Sequence, residues 1–281
     1  MQKKIRDEIK AVFFDIDGTY FDHEKNRVLP STIKAMKKLK ENGYKTALVG
    51  KNHAYLKPAD LDFCSGRPLL MAKELDVFNH VEWDGFIGSA GNTVYDENLN
   101  KIKHNGFGDK ELETIFSIAK KKEICLYVNG SSAFLTMDDP QAVQVLQQFH
   151  VQIPKEIRGW QKSDSVEMIS MFKGYDYDYS DFLQVPQLRT QKSSGCIVDL
   201  IKEGINKTTG IHSLLKYWGM EDAKYMAFGD SLNDKEMLDS AYIGVAMENG
   251  DVNLYPYADV VCGPSFEDSI YAVLKSFQMI K

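Results

Sequence analysis

No apolar stretch in this 281-residue chain approaches the roughly 20 residues that a membrane span needs. The start, Met1-Gln2-Lys3-Lys4-Ile5-Arg6-Asp7, lacks the apolar segment of a signal peptide, so a cytoplasmic protein without a membrane partner is expected. Cysteine is scarce: Cys64, Cys125, Cys196 and Cys262 lie far apart with no Cys-x-x-Cys, which argues against a zinc site or a disulfide framework. An excess of positive charge is missing too. Lys and Arg number 34 against 40 Asp and Glu, the net charge is −6 and there is no polybasic block, so no footprint for nucleic acid or an anionic membrane exists. The six histidines show no ligand spacing, and Gly85-Phe86-Ile87-Gly88-Ser89-Ala90-Gly91 misses the dinucleotide-binding fingerprint. Zinc hydrolase and dehydrogenase chemistry are thereby set aside, as are repeat and low-complexity architectures.

What is present is enough apolar residue, 43% with 11% aromatic, to build a substantial core in one large or two ordinary domains. The run Ala11-Val12-Phe13-Phe14 is continuous rather than alternating, the pattern of a strand covered on both faces of a parallel sheet. It opens directly onto Asp15-Ile16-Asp17-Gly18-Thr19. Ligands of parallel sheets collect beyond the carboxyl ends of the strands, so this first loop is the candidate site. Far downstream Tyr225-Met226-Ala227-Phe228 repeats the arrangement ahead of Gly229-Asp230-Ser231-Leu232-Asn233-Asp234. Carboxylates gathered from two such strand ends repel one another unless a cation neutralises them, and ligands that are all oxygen favour Mg²⁺.

Between the two motifs strand and helix alternate. Pro30-Ser31-Thr32 opens an amphipathic helix through Ile33, Met36 and Leu39 that Asn42-Gly43 stops, and Tyr44 to Val49 reads as the second strand. Gly85 to Gly88 is a third strand, and Thr93-Val94-Tyr95 with Lys101-Ile102-Lys103 makes a hairpin. Helical Leu112 to Ala119 and Ala142 to Phe149, with strand-like Ile124 to Val128 and Val166 to Phe172, form a second αβ unit. A helical face of Ile211, Leu214, Leu215 and Trp218 then leads back to the second acidic motif. The expected class is α/β.

Asp-x-Asp-Gly-Thr near one end and Gly-Asp-Ser-x-Asn-Asp near the other resemble the haloacid dehalogenase (HAD) superfamily of phosphotransferases, with flanks similar to its Cof-like sugar-phosphatase branch. The resemblance implies a Rossmann-like parallel-sheet core with helices on both faces, and an inserted smaller α/β cap of the C2 type that chooses substrates. The core is expected over 1–103 and 191–281, and the cap over 104–190.

In that family the first aspartate is the nucleophile, which assigns to Asp15 the attack on phosphorus and the aspartyl-phosphate. Asp17 takes the position of the general acid and base, its backbone carbonyl also binding the metal. Asp230 is the second side-chain ligand. Asp234, one helical turn on, falls on the same face to steady the ion, and Asn233 contacts the phosphoryl group. Lys207, within Gly204-Ile205-Asn206-Lys207, matches the basic residue that offsets charge in the transition state. Cys64-Ser65-Gly66-Arg67-Pro68 carries the expected hydroxyl signature, so Ser65 and Gly66 are candidate phosphate contacts, although Gly50 to Phe63 intervene where the family runs almost directly from strand to loop.

Each residue has a plainer reading as well. Asp15, Asp230 or Ser65 could cap a helix, and Lys207 could be a solvated lysine. Thr19 is expected to brace its loop through a hydrogen bond, Asn92 to form a turn, and Asp239 and Asp251 to lie on the surface. The expected function is Mg²⁺-dependent hydrolysis of a small phosphomonoester, a sugar phosphate or a phosphorylated cofactor, by a monomer or homodimer. The rivals are a phosphomutase with the same aspartyl-phosphate and a phosphoester-binding regulatory protein without turnover.

Overall fold

The structure is a computed structural model and describes residues 6–22, 25–50, 69–73, 75–130, 132–148, 151–192 and 197–281. The continuous apolar run forms β1 (Ile9–Asp15), and its residues serve two cores. Val12 and Phe14 enter one apolar layer, Ala11 and Phe13 another on the opposite face. That is why the run does not alternate with polar residues.

β1 lies mid-sheet between β2 (Lys45–Val49) and β12 (Lys224–Gly229), parallel to both, with Phe14 in register with Leu48 and Phe228. The Phe14 and Phe228 rings stack at 4.9 Å. Adding β3 (Gly85–Gly88), β4 (Thr93–Asp96), β5 (Lys101–His104), β13 (Ile243–Met247) and β14 (Val260–Cys262) gives an eight-stranded sheet of order β14-β13-β12-β1-β2-β3-β4-β5. Only the β3–β4 and β4–β5 pairs of this sheet are antiparallel among the described residues.

Helices cover both faces. α1 (Pro30–Glu41) begins with proline in its first turn, ends at Gly43 in the left-handed region (φ 83°), and buries Ala35, Met36 and Leu39 against the layer of Val12 and Phe14. α5 (Lys207–Tyr217) buries Ile211, Leu214 and Leu215 against the other layer. Short helices α2 (Leu69–Lys73) and α6 (Lys235–Asp239), with α7 (Ser269–Ser276), complete this unit.

After β5 the chain builds a second, six-stranded sheet before returning to β12. Its order is β10-β11-β9-β6-β7-β8, from β6 (Leu126–Gly130), β7 (Phe134–Leu135), β8 (Glu156–Ile157), β9 (Val166–Met171), β10 (Leu188–Lys192) and β11 (Val198–Lys202). α3 (Asp109–Lys121) packs Leu112, Ile115 and Ala119 on one face, and α4 (Pro140–Gln148) packs Ala142, Val145 and Leu146 on the other. The α/β class with a smaller inserted α/β unit is therefore as expected.

Its boundary is not. The 190/191 division falls inside β10, and the sheet continues to Lys202 because β11 pairs antiparallel with both β10 and β9. Leu188, Val198 and Leu200 sit in the same apolar layer as α3, contacts between residues distant in sequence that the local pattern does not display. No helix among the described residues is long and apolar enough to cross a membrane.

Asp84, just before β3, ties the elements behind the sheet together. Its carboxylate accepts from Lys40 Nζ at 2.5 Å, Lys45 Nζ at 2.9 Å and the Thr46 amide at 2.9 Å. Burial alone would raise its pKa, but the two lysines and the amide outweigh it and hold the carboxyl below its ordinary value. A carboxyl depressed by folding contributes stability above its unfolded pKa and loses that contribution as pH falls through the folded value. Asp84→Asn is expected to cost about 1–3 kcal/mol in urea unfolding at pH 7 and to flatten the loss of stability as pH falls below about 4.

Candidate active site

Asp15 is the last residue of β1, and Asp230 directly follows β12, its immediate neighbour in the sheet. Two parallel strands side by side thus deliver two carboxylates to the same edge. The first loop then folds back on itself: the Tyr20 amide donates to the Asp15 carbonyl at 3.2 Å, and the Phe21 amide to the Ile16 carbonyl at 2.7 Å. Asp15 and Asp17 are both fully buried.

Gly18 satisfies two constraints at once. It sits at φ 74°, where a side chain is strained, and a Cβ there would lie 2.4 Å from Asp230 Oδ2. Its carbonyl accepts from Asn249 Nδ2 at 2.9 Å, while Asn249 Oδ1 accepts from the Ser265 amide at 2.7 Å. Asn249, which no motif singled out, thereby braces the first acidic loop from the far end of the chain. Gly250 beside it permits the close approach of the Asp230 carbonyl, which accepts from the Asp251 amide at 2.7 Å. Asp239 is exposed as expected, whereas Asp251 is half-buried and takes part in this backbone support.

Asp234 reaches the site by a different route from the helical spacing expected of it. Leu232–Asp234 is a single 3₁₀ turn and Asp230 precedes it in irregular backbone. Asp234 Oδ2 instead accepts from the amides of Asp230 at 3.1 Å and Ser231 at 3.2 Å, which aims Oδ1 inward. Carboxylate oxygens of Asp15, Asp230 and Asp234 lie within 4.8 Å of one another.

Lys207 is the first residue of α5, whose N-cap Asn206 accepts the Thr209 amide at 2.9 Å. The helix can come this close because of two glycines. A Cβ on Gly91 would meet the Asn206 carbonyl at 1.9 Å, and one on Gly210 would meet Ile87 at 2.5 Å. Lys207 is 2% exposed, and its Nζ donates to Asp15 Oδ1 and Asp234 Oδ1 together.

The electrostatics follow from four buried carboxylates against this one contacting cation among the described residues. Burial pushes the Asp15 carboxyl up to about 8; Lys207 works against the rise, and Asp234 and Asp17 add to it. Burial would lower Lys207, yet the charges of Asp15 and Asp234 overcome it and hold the ammonium above its ordinary value. Asp15 Oδ2 is buried with no hydrogen-bond partner among the described residues, and the ligand atoms gathered here are all oxygen, a set that suits a hard divalent cation.

Asn233 lies beside the cluster, with Oδ1 accepting from Ser231 Oγ at 2.8 Å and a buried Nδ2 that has no partner among the described residues. Thr19 Oγ1 is likewise buried without a partner among them, so the hydrogen bond expected to brace its loop is not made there. Asn92 closes a turn at the junction with the inserted unit, where its Nδ2 donates to the Glu167 carbonyl. Ser65, Gly66 and Arg67 lie outside the described residues.

A family model for haloacid dehalogenase-like hydrolases matches residues 12–274. The chain belongs to this family. Its relatives include the pyridoxal phosphate phosphatase YbhA of Escherichia coli K12, 26% identical over 93% of this chain and 96% of that protein. Another is the 5-amino-6-(5-phospho-D-ribitylamino)uracil phosphatase YbjI of the same organism, 23% identical over 95% of each. Among solved structures, the subclass IIB sugar phosphatase BT4131 superposes with a TM-score of 0.76 at 25% identity, covering 96% of this chain and all of that one.

Replacing Lys207 by Met would leave Asp15 and Asp234 buried without their cation. In chelator, Lys207→Met is expected to lose about 3–5 kcal/mol of unfolding free energy at pH 8. A carboxyl raised by folding stabilises below its unfolded pKa and ceases to as pH rises through the folded value, so much of that loss should be recovered at pH 5. Urea unfolding of both chains at the two pH values measures it.

Proposed function

We propose that this HAD-family hydrolase cleaves small phosphomonoesters, sugar phosphates or phosphorylated cofactors, through an aspartyl-phosphate on Asp15. The observation that carries the proposal is the contact of Lys207 with Asp15 inside a buried group of carboxylates at the ends of β1 and β12. A solvated lysine or a helix-capping aspartate would need no such arrangement.

In this reading the Asp15 carboxylate attacks phosphorus, and the bond from phosphorus to the ester oxygen breaks. Asp17 delivers a proton to the departing oxygen, then takes one from the water that attacks the aspartyl-phosphate. Lys207 holds the attacking carboxylate in place and balances charge gathering on the phosphoryl oxygens. Asn233 Nδ2 is a donor free to meet one of those oxygens, and Ser65 with the Gly66 amide would meet others. Asp15, the Asp17 carbonyl and Asp230 would hold Mg²⁺, with Asp234 steadying it. The ion when bound supplies positive charge that keeps Asp15 ionised and offsets the phosphate's own charge. The inserted sheet would act as the cap over this edge. Relatives acting on pyridoxal phosphate, on a ribityl phosphate and on sugar phosphates support a small phosphorylated metabolite as substrate.

Phosphate release from a phosphomonoester panel, with and without Mg²⁺, tests the proposal. Native chain should release phosphate only with the metal, Asp15→Asn should abolish release, and Asp17→Asn should lower kcat by about 10²–10⁴. Isomer formed without free phosphate would identify a mutase instead, and binding without conversion a regulatory protein. Because Asp15 must lose a proton whose pKa is raised to about 8, Mg²⁺ should bind more tightly as pH rises from about 6 to 8, as read by calorimetry.

A further inference from the structure

The inserted unit meets the core at a group of polar contacts that the proposed reaction does not use. Glu167, near the start of β9, is only 4% exposed although charged. Its Oε1 accepts from Tyr95 Oη at 2.8 Å and lies 2.7 Å from Lys101 Nζ, both on the β4–β5 hairpin of the core. Its backbone carbonyl accepts from Asn92 Nδ2 at 2.6 Å, and the Val166 carbonyl lies 3.2 Å from His104 Nε2. One short stretch of the insert is therefore fastened to the core at four side chains.

Asn92 also terminates the turn Ser89–Gly91, which follows β3 at the active-site edge of the sheet. Ser89 (φ 51°) and Ala90 (φ 55°) both occupy the left-handed region, and Gly91 lies at φ 100°. Two successive non-glycine residues there persist only if their surroundings hold them. The turn packs on Asn206, the N-cap of α5, and the next residue is Lys207. A continuous line of contacts thus runs from Glu167 through Asn92 and the strained turn to the lysine between Asp15 and Asp234.

We infer that Glu167 and Asn92 are positioning residues: docking of the insert through Glu167 holds the Ser89–Gly91 turn in its strained form and so seats Lys207 against Asp15. The inference rests on the proposed phosphatase reading for its effect on turnover, but the mechanical link does not. A carboxylate at 167 suits the task because its burial is favourable only while Lys101 and Tyr95 lie across from it, so the contact is made in one docked arrangement.

The test uses the full chain with Glu167→Gln, which keeps the shape and removes the charge, and Asn92→Ala, with Tyr95→Phe as a milder third variant. Amide hydrogen exchange of 86–95 and 206–212 is followed alongside melting temperature and, on p-nitrophenyl phosphate with Mg²⁺, kcat and KM. The expected result is faster exchange in both segments, with α1 and β1 protected as in the native chain, and a fall in kcat of tenfold or more that exceeds any change in KM. Glu167→Gln combined with Asn92→Ala should lose little more than either alone, because both act through one turn. Exchange at 206–212 unchanged in all three variants would overturn the inference, as would kcat within twofold of native. If the native chain releases no phosphate, the phosphatase reading fails, while the exchange data still decide whether the insert and the Lys207 segment are linked.

Discussion

The ammonium of Lys207 between Asp15 and Asp234 is the interaction on which the site's architecture turns. Carboxylates this deeply buried cannot remain charged without a partner, because the interior does not replace the water they lose. One lysine offsets part of that cost and leaves a net negative cluster. The surplus suits a divalent cation, and it adds to the effect of burial in raising the Asp15 carboxyl when only the protein's own groups surround it.

Much of the surrounding structure serves that contact. Gly91 and Gly210 let α5 approach near enough for Lys207 to reach across, Gly18 lets the first acidic loop close on Asp230, and Gly250 lets the loop after β13 close on the Asp230 backbone. Asn249 joins the first acidic loop to the segment at Ser265 through backbone groups rather than charge, so it adds rigidity without altering the electrostatic balance. Placement of the site at the carboxyl edge of a parallel sheet follows from β1 and β12 being neighbours. The inserted unit, with its own two apolar layers, is fastened to the β4–β5 hairpin by polar contacts at Glu167, in contrast to the apolar packing within each unit.

Much of this was legible in the sequence because strong local signals carry it. A four-residue apolar run opening onto two aspartates has few other structural uses, and the second motif repeated the logic. Asp15, Asp230, Asp234 and Lys207 lie together in the structure. Asn249 escaped notice because a single asparagine in a loop carries no pattern; its role exists only when Gly18 and Ser265 are beside it. The end of the insert carries no local signal either. Val198–Lys202 belongs to it only through pairing with β9 and β10.

The amino-acid sequence by itself determined the α/β class, the acidic strand ends and the chemical type of the site, since periodicity and residue chemistry are local properties. Tertiary structure decided how Asp234 is aimed, by amides rather than helical spacing, and how near Lys207 comes to Asp15. It also decided which strands belong to the insert and what fastens the insert to the core. Those are distances between residues far apart in the chain, and only the packed fold sets them.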